Sequence, residues 1–117
     1  MSSECCIYDF SECNAIVPGL AWAVARFNVP LDLTGLHVRM IIRVRFTDNP
    51  VATYTDINGK LVIGTFSAGN TPISPILTAV DTALLTVAGL YDYILEIYNT
   101  AGTVGRRIFH GTIEIKD

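Results

Sequence analysis

Residues 37–46, HVRMIIRVRF, alternate apolar and mostly basic side chains with the period of two that is typical of a half-buried β-strand. Every second side chain, from Val38 to Phe46, is predicted to face a core. The arginines and His37 are predicted to face outward. The fold prediction therefore starts from a sheet with an apolar inner face and a basic outer face.

The same alternation recurs along the chain, whereas the helical period of 3.6 is almost absent. Two further strands are clear, at Leu90–Asn99 and Arg107–Lys116, with residues 100–102 as the hairpin loop between them. Less regular strands are predicted at three other places, namely Ala21–Asn28, Val51–Ile57 and Lys60–Phe66.

Local signals punctuate these strands. Asn58-Gly59 predicts a tight hairpin turn, because both residues tolerate positive φ. Pro72 and Pro75 predict an edge strand or an extended passage. Residues 78–87 are the only stretch that predicts a helical turn, with Asp81 near its start. About seven short strands indicate an all-β, immunoglobulin-like antiparallel sandwich, with a five-stranded barrel as the alternative.

Composition limits the function classes. The chain has 117 residues, half of them hydrophobic, which predicts one globular domain. No apolar run is long enough for a spanning helix, and no secretory leader is apparent, so we expect no membrane partner and folding in a cytosol. The net charge of −3 and the scattered basic residues argue against nucleic acid as the partner.

Three stretches in this order resemble a family of immunoglobulin-like phage virion proteins, similar to the amino-terminal domain of phage upper-baseplate proteins. They are Leu31–Gly35 running into the basic strand, Gly89–Ile97, and Gly102–Ile115. Ile7–Phe10 resembles the family's usual opening. Residues 11–28 depart from the family pattern, which has a longer polar strand there.

The resemblance implies a structural component of a bacteriophage particle, in the tail, neck or baseplate. We therefore expect a protein–protein assembly or attachment module, located in the virion and assembled in the host cytoplasm. Its expected partners are other phage structural proteins and further copies of itself, as a homo-oligomer. Two alternatives are a sandwich that binds a host surface glycan and a free-standing adhesion or chaperone-like domain of a bacterium.

Residues 1–19 are polar and irregular and are predicted to form an amino-terminal arm before a sandwich domain at residues 20–117. The arm holds all three cysteines, Cys5, Cys6 and Cys13. They are open to three interpretations: reduced thiols, a disulfide within the arm or to a neighbouring subunit, and a zinc site. Neither histidine lies near them in sequence, so we expect no metal or cofactor.

No set of residues marks a catalytic site. His37 and His110 fall on outward strand positions, and no nucleophile has a neighbouring base and orienting group. We therefore predict that the chain is not an enzyme. The glycan alternative requires exposed aromatic rings, for which Tyr54 and Tyr98 are the candidates; Trp22 is assigned to the core instead.

Overall fold

The structure is a computed structural model that describes residues 15–23, 26–99 and 105–116. It consists of antiparallel strands and one short helix, α1. The strands are β1 (Phe27–Val29), β2 (His37–Val44), β3 (Pro50–Thr55), β4 (Leu61–Ile63), β5 (Thr71–Pro75), β6 (Gly89–Tyr98) and β7 (Gly105–Ile115), and the helix is α1 (Ala79–Ala83).

The strands form two sheets, as in a sandwich, rather than one closed barrel. One sheet has the order β1-β5-β4 and the other has the order β3-β2-β6-β7. In immunoglobulin letters, these orders are B-E-D and C′-C-F-G. Ile16 adds a parallel bridge to Ile115 at the outer edge of β7. The predicted all-β, immunoglobulin-like sandwich is therefore confirmed.

A tyrosine corner closes one end of the sandwich. The Tyr91 hydroxyl, near the start of β6, donates a hydrogen bond of 2.6 Å to the Val87 carbonyl. Immunoglobulin folds carry a tyrosine at this corner, two residues before the second cysteine of the inter-sheet disulfide. Here the second position is Tyr93, which packs on Phe27 of β1 with ring centroids 5.8 Å apart. An aromatic pair thus joins the two sheets where such domains place a disulfide.

The core follows the alternation read from the sequence. Along β2, burial alternates from His37 to Arg43, with every second side chain inward. Trp22 is also buried, as predicted, and its backbone bridges to Leu77. The largest fully buried side chains come from both sheets and include Tyr93, Phe27, Ile16, Met40, Ile42, Leu61, Ile73, Leu77, Leu95, Ile113 and Ile115.

Phe46 was predicted to face the core, and this prediction is wrong. Strand β2 ends at Val44, and the Phe46 side chain is 85% exposed. The chain turns here because the Val44 N–H donates to the Asn49 carbonyl. Phe46 adopts a positive φ of 63°, and its N–H donates to a carboxylate oxygen of Asp92.

The proline-containing segment was predicted to be an edge strand or an extended passage, but β5 is the central strand of its sheet. Its neighbours β1 and β4 are only three residues long, so few ladder hydrogen bonds are required of β5. The Pro72 carbonyl accepts from the Gly64 N–H, just beyond the end of β4. Pro72 pairs in register with Asn28 of β1, but its carbonyl, and therefore the position of its missing N–H, faces Gly64 beyond the end of β4, so the central strand tolerates the proline.

Asn58-Gly59 forms the predicted turn, with Gly59 at a φ of 80°, but not a hairpin. Strands β3 and β4 lie in different sheets. The Asn58 side-chain oxygen accepts from the N–H groups of Thr55 and Lys60, at 3.1 Å each. These bonds occupy donors that a paired strand would otherwise use, so the turn leads the chain across to the other sheet.

Helix α1 is the predicted helical turn. Thr78 caps it, and Asp81 completes a reciprocal capping box. Within the described ranges, no helix is long and apolar enough to cross a membrane. Of the predicted arm, residues 15–19 are described. Ile16 is fully buried, so this portion contributes to the core.

The tyrosine corner generates a stability prediction. Replacing Tyr91 with Phe removes the hydroxyl but keeps the buried ring, so the loss is that of one hydrogen bond. We expect the free energy of unfolding to fall by about 1 kcal/mol, measured by urea denaturation. Tyr98→Phe is the control on the same strand and should cause a smaller loss. Equal losses would contradict a specific role for the corner bond.

Candidate docking surface

An apolar groove of about 460 Å³ lies at the end of the sandwich closed by the tyrosine corner. The end of β2, the start of β3 and the segment between α1 and β6 enclose it. Leu84, the C-terminal cap of α1, is 76% exposed beside the groove. The other exposed apolar side chains that line the groove are Val44, Val51, Val87 and Leu90. Contiguous exposed apolar surface of this kind is typical of an interaction site.

Two polar contacts hold α1, and with it Leu84, in place. Lys60 Nζ lies 2.9 Å from an Asp81 carboxylate oxygen, and the same oxygen accepts the Thr78 N–H. The hydrogen bond from Lys60 and then that from the Thr78 backbone lower the pKa of Asp81 below its ordinary value. Asp81 therefore acts as a cap and anchor of α1, as the sequence predicted for a residue near the helix start.

A second, basic groove of about 380 Å³ lies on the outer face of the four-stranded sheet. Three arginines line it, Arg43, Arg45 and Arg107, against a single carboxylate, Asp92. His110 and the exposed Phe46 complete its rim. The groove is locally positive on a chain whose formal net charge is −3, which favours an acidic ligand or segment.

The arginines are only partly neutralised by carboxylates of this chain. Arg43 Nη1 lies 2.8 Å from the fully exposed Asp48, and Arg45 Nε is 3.9 Å from Asp92. The Nε atoms of Arg43 and Arg45 are buried and have no hydrogen-bond partner among the described residues. Arg45 also stacks over the Phe46 ring, 4.8 Å from its centroid. With three arginines against Asp92 in its lining, the groove keeps an excess of positive charge that favours an anionic partner.

Two of the three arginines in residues 37–46 lie near a carboxylate of β6. Arg39 Nε donates to Glu96 at 2.7 Å, and Arg45 lies near Asp92. Arg43 instead reaches Asp48 in the turn after β2. Because Arg39 already has a carboxylate partner, its side of the sheet carries less free positive charge than the basic groove.

The two histidines lie apart from each other. His37 Nδ1 is 2.9 Å from an Asp56 carboxylate oxygen, and the other Asp56 oxygen accepts the Val38 N–H. This contact fastens the start of β2 to the turn after β3. His110 is exposed on β7. Among the residues that the structure describes, no group of three or more His, Cys, Asp or Glu side chains could hold a metal ion.

The structure separates the candidate glycan-contact aromatics. Tyr54 is on the inner face of β3 and only 7% exposed, whereas Tyr98 is half-buried on the outer face of β6. The Tyr98 ring lies 5.5 Å from the His37 ring and 4.8 Å from the Arg39 guanidinium carbon. Tyr54 and Tyr98 therefore do not form one stacking platform.

The cysteines Cys5, Cys6 and Cys13 lie outside the described residues, so their state stays a prediction. Sequence reasoning missed both grooves. It placed Phe46 in the core and did not single out Leu84 or Val87. The apolar run Leu84-Leu85, which begins at the C-terminal cap of α1 and is followed by Val87, was the available signal for the apolar groove.

Comparison with protein-family models finds none that matches the chain, and comparison with curated proteins finds no match either.

Tyr54 gives a pH-dependent prediction. Burial raises the pKa of its hydroxyl from 10.0 to about 12, and the negative charge of Asp81 adds to the shift. Between pH 10 and about pH 12, the Tyr54 hydroxyl keeps its proton in the folded protein but loses it in the unfolded chain. The free energy of unfolding should therefore fall as the pH rises from 10 towards 12.

The measurement is urea denaturation at pH 9 and pH 11, for the wild type and for Tyr54→Phe. The variant lacks the titrating hydroxyl, so its stability should decline less between the two pH values. Other alkaline titrations are common to both proteins and cancel in the comparison. An identical decline in both would show that Tyr54 is not the group responsible.

Proposed function

We propose that this chain is a structural protein of a bacteriophage particle, in the tail, neck or baseplate, and acts as a protein–protein assembly module. The observation that carries the proposal is the apolar groove with its rim of exposed apolar side chains, because clustered exposed apolar side chains favour contact with another protein. The phage particle is proposed from the sequence resemblance to immunoglobulin-like virion proteins, and the immunoglobulin strand order is consistent with that resemblance. That strand order hosts many functions, so the fold alone does not select this one.

Strand edges offer a second route to assembly. Strand β7 is 11 residues long and lies at the edge of the larger sheet. Among the described residues, only Ile16 pairs along its outer side, at its last residue, Ile115. Adding a strand from a neighbouring subunit to such an edge is a common mode of association. The proposed module would thus use a side-chain groove and a backbone edge that lie close together.

Removal of residues 1–14 should abolish assembly without unfolding the domain. The cut is placed before Ala15 rather than after residue 19, because Ile16 is fully buried and hydrogen-bonded to Glu114 and Lys116. Light scattering after size exclusion should show a defined oligomer for the full chain and a monomer for the truncated chain. The comparison is made with and without reductant, because all cysteines precede the cut. A truncated chain that still assembles would contradict a role for the arm.

A charge placed in the apolar groove should also block association. Leu84→Asp introduces a carboxylate at a side chain that is 76% exposed, so the fold should lose less than about 0.5 kcal/mol. We expect the oligomer to dissociate at concentrations where the wild type remains associated. Ile57→Asp is the matched control: Ile57 is 69% exposed in the β3–β4 turn, away from the groove. Equal effects of the two variants would argue against the groove as the interface.

A further inference from the structure

The apolar and basic grooves form one continuous surface. Arg45 lines both of them, Val44 lines the apolar groove, and Phe46 lines the basic groove. A segment lying across this surface would meet an apolar recess first and a cluster of arginines next to it. The matching occupant therefore combines large apolar side chains with carboxylates a few residues away.

Residues 1–14 of this chain have that chemistry. They include Glu4, Asp9 and Glu12 but no lysine or arginine. The whole chain has 11 acidic and 8 basic residues, so these three carboxylates account for its entire excess of negative charge. The remaining residues are balanced in charge, so the basic groove and this acidic segment carry charges of opposite sign.

The same segment carries large apolar side chains. Ile7, Tyr8 and Phe10 flank Asp9 and precede Glu12. A groove of about 460 Å³ has room for large side chains of this kind, and its lining is predominantly apolar. Apolar and aromatic anchors next to charges are the pattern by which short segments bind such surfaces.

The attachment point of the segment lies at the groove. The Ile16 N–H donates to the Glu114 carbonyl, and Ile16 pairs with Ile115, which lines the apolar groove. Fourteen residues span up to roughly 45 Å when extended, and the longest dimension of the molecule is 37 Å. The segment can therefore reach the surface of an adjacent copy.

We propose that residues 1–14 of a second copy occupy this combined surface, with Ile7, Tyr8 or Phe10 in the apolar groove and Asp9 and Glu12 at Arg45 and Arg107. This inference rests on the proposed assembly function and specifies which surfaces of the two copies meet.

Charge reversal tests it in the full-length protein, with reductant present. One variant is Arg45→Glu, a second is Arg107→Glu, and a third combines Asp9→Lys with Glu12→Lys.

Each variant alone should weaken self-association about tenfold or more, since it sets like charges opposite each other. Mixing the Arg45→Glu protein with the arm variant should restore association, because the basic arm of one then meets the carboxylate introduced at position 45 of the other. Arg26→Glu makes the same charge change at an exposed arginine outside both grooves and should leave the mass unchanged. Arg107→Glu tests the same groove from an exposed position on β7 in case Arg45→Glu impairs folding.

The outcomes separate the two proposals. A wild type that is monomeric at all concentrations overturns self-association itself and this inference with it. A wild type that associates, but is insensitive to all three charge reversals, overturns only the contact proposed here. If mixing restores nothing while one chain carrying both the groove and the arm reversals recovers, the arm binds its own domain and the second-copy contact is wrong.

Discussion

The contact between Phe27 and Tyr93 is the link on which the sandwich depends. These fully buried rings come from opposite sheets, and Phe27 also stacks on Phe109 at 5.4 Å. In many immunoglobulin domains a disulfide occupies the corresponding place between strands B and F, which are β1 and β6 here. This chain has no cysteine after residue 13, so side-chain packing, with the Phe27–Tyr93 pair and the aliphatic core around it, holds the sheets together without a disulfide. Such packing is independent of the redox state of its surroundings.

Much of the fold was predictable because sheet burial imposes a period of two on the sequence. That rule placed β2, β6 and β7 within a residue or two, and the separate assignment of Trp22 to the core is also correct. The rule fails where a strand ends, because nothing in the alternation marks the last paired residue. Phe46 continues the pattern of β2, yet the turn that follows Val44 and the carboxylate of Asp92 move it outside.

Tertiary pairing decided the other differences. Asn58-Gly59 is a hairpin signal only if the next strand stays in the same sheet, and the sequence does not encode that choice locally. Pro72 and Pro75 exclude a strand with long neighbours on both sides, but not one between two three-residue strands. The local backbone conformation was predicted correctly in both cases. Which strand pairs with which depended on elements distant in the sequence.

The docking surface was less predictable than the fold for a related reason. Its residues come from the end of β2, the start of β3, the end of α1 and the approach to β6, so no single window of sequence contains it. What the sequence does contain is the charge imbalance: a neutral domain preceded by a short acidic segment. The fold brings Arg43, Arg45 and Arg107 together in one groove, and this groove is a surface of opposite charge to the acidic segment. The tyrosine corner also shapes the groove, because the hydrogen bond from Tyr91 that closes this end of the core holds the Val87 backbone beside it.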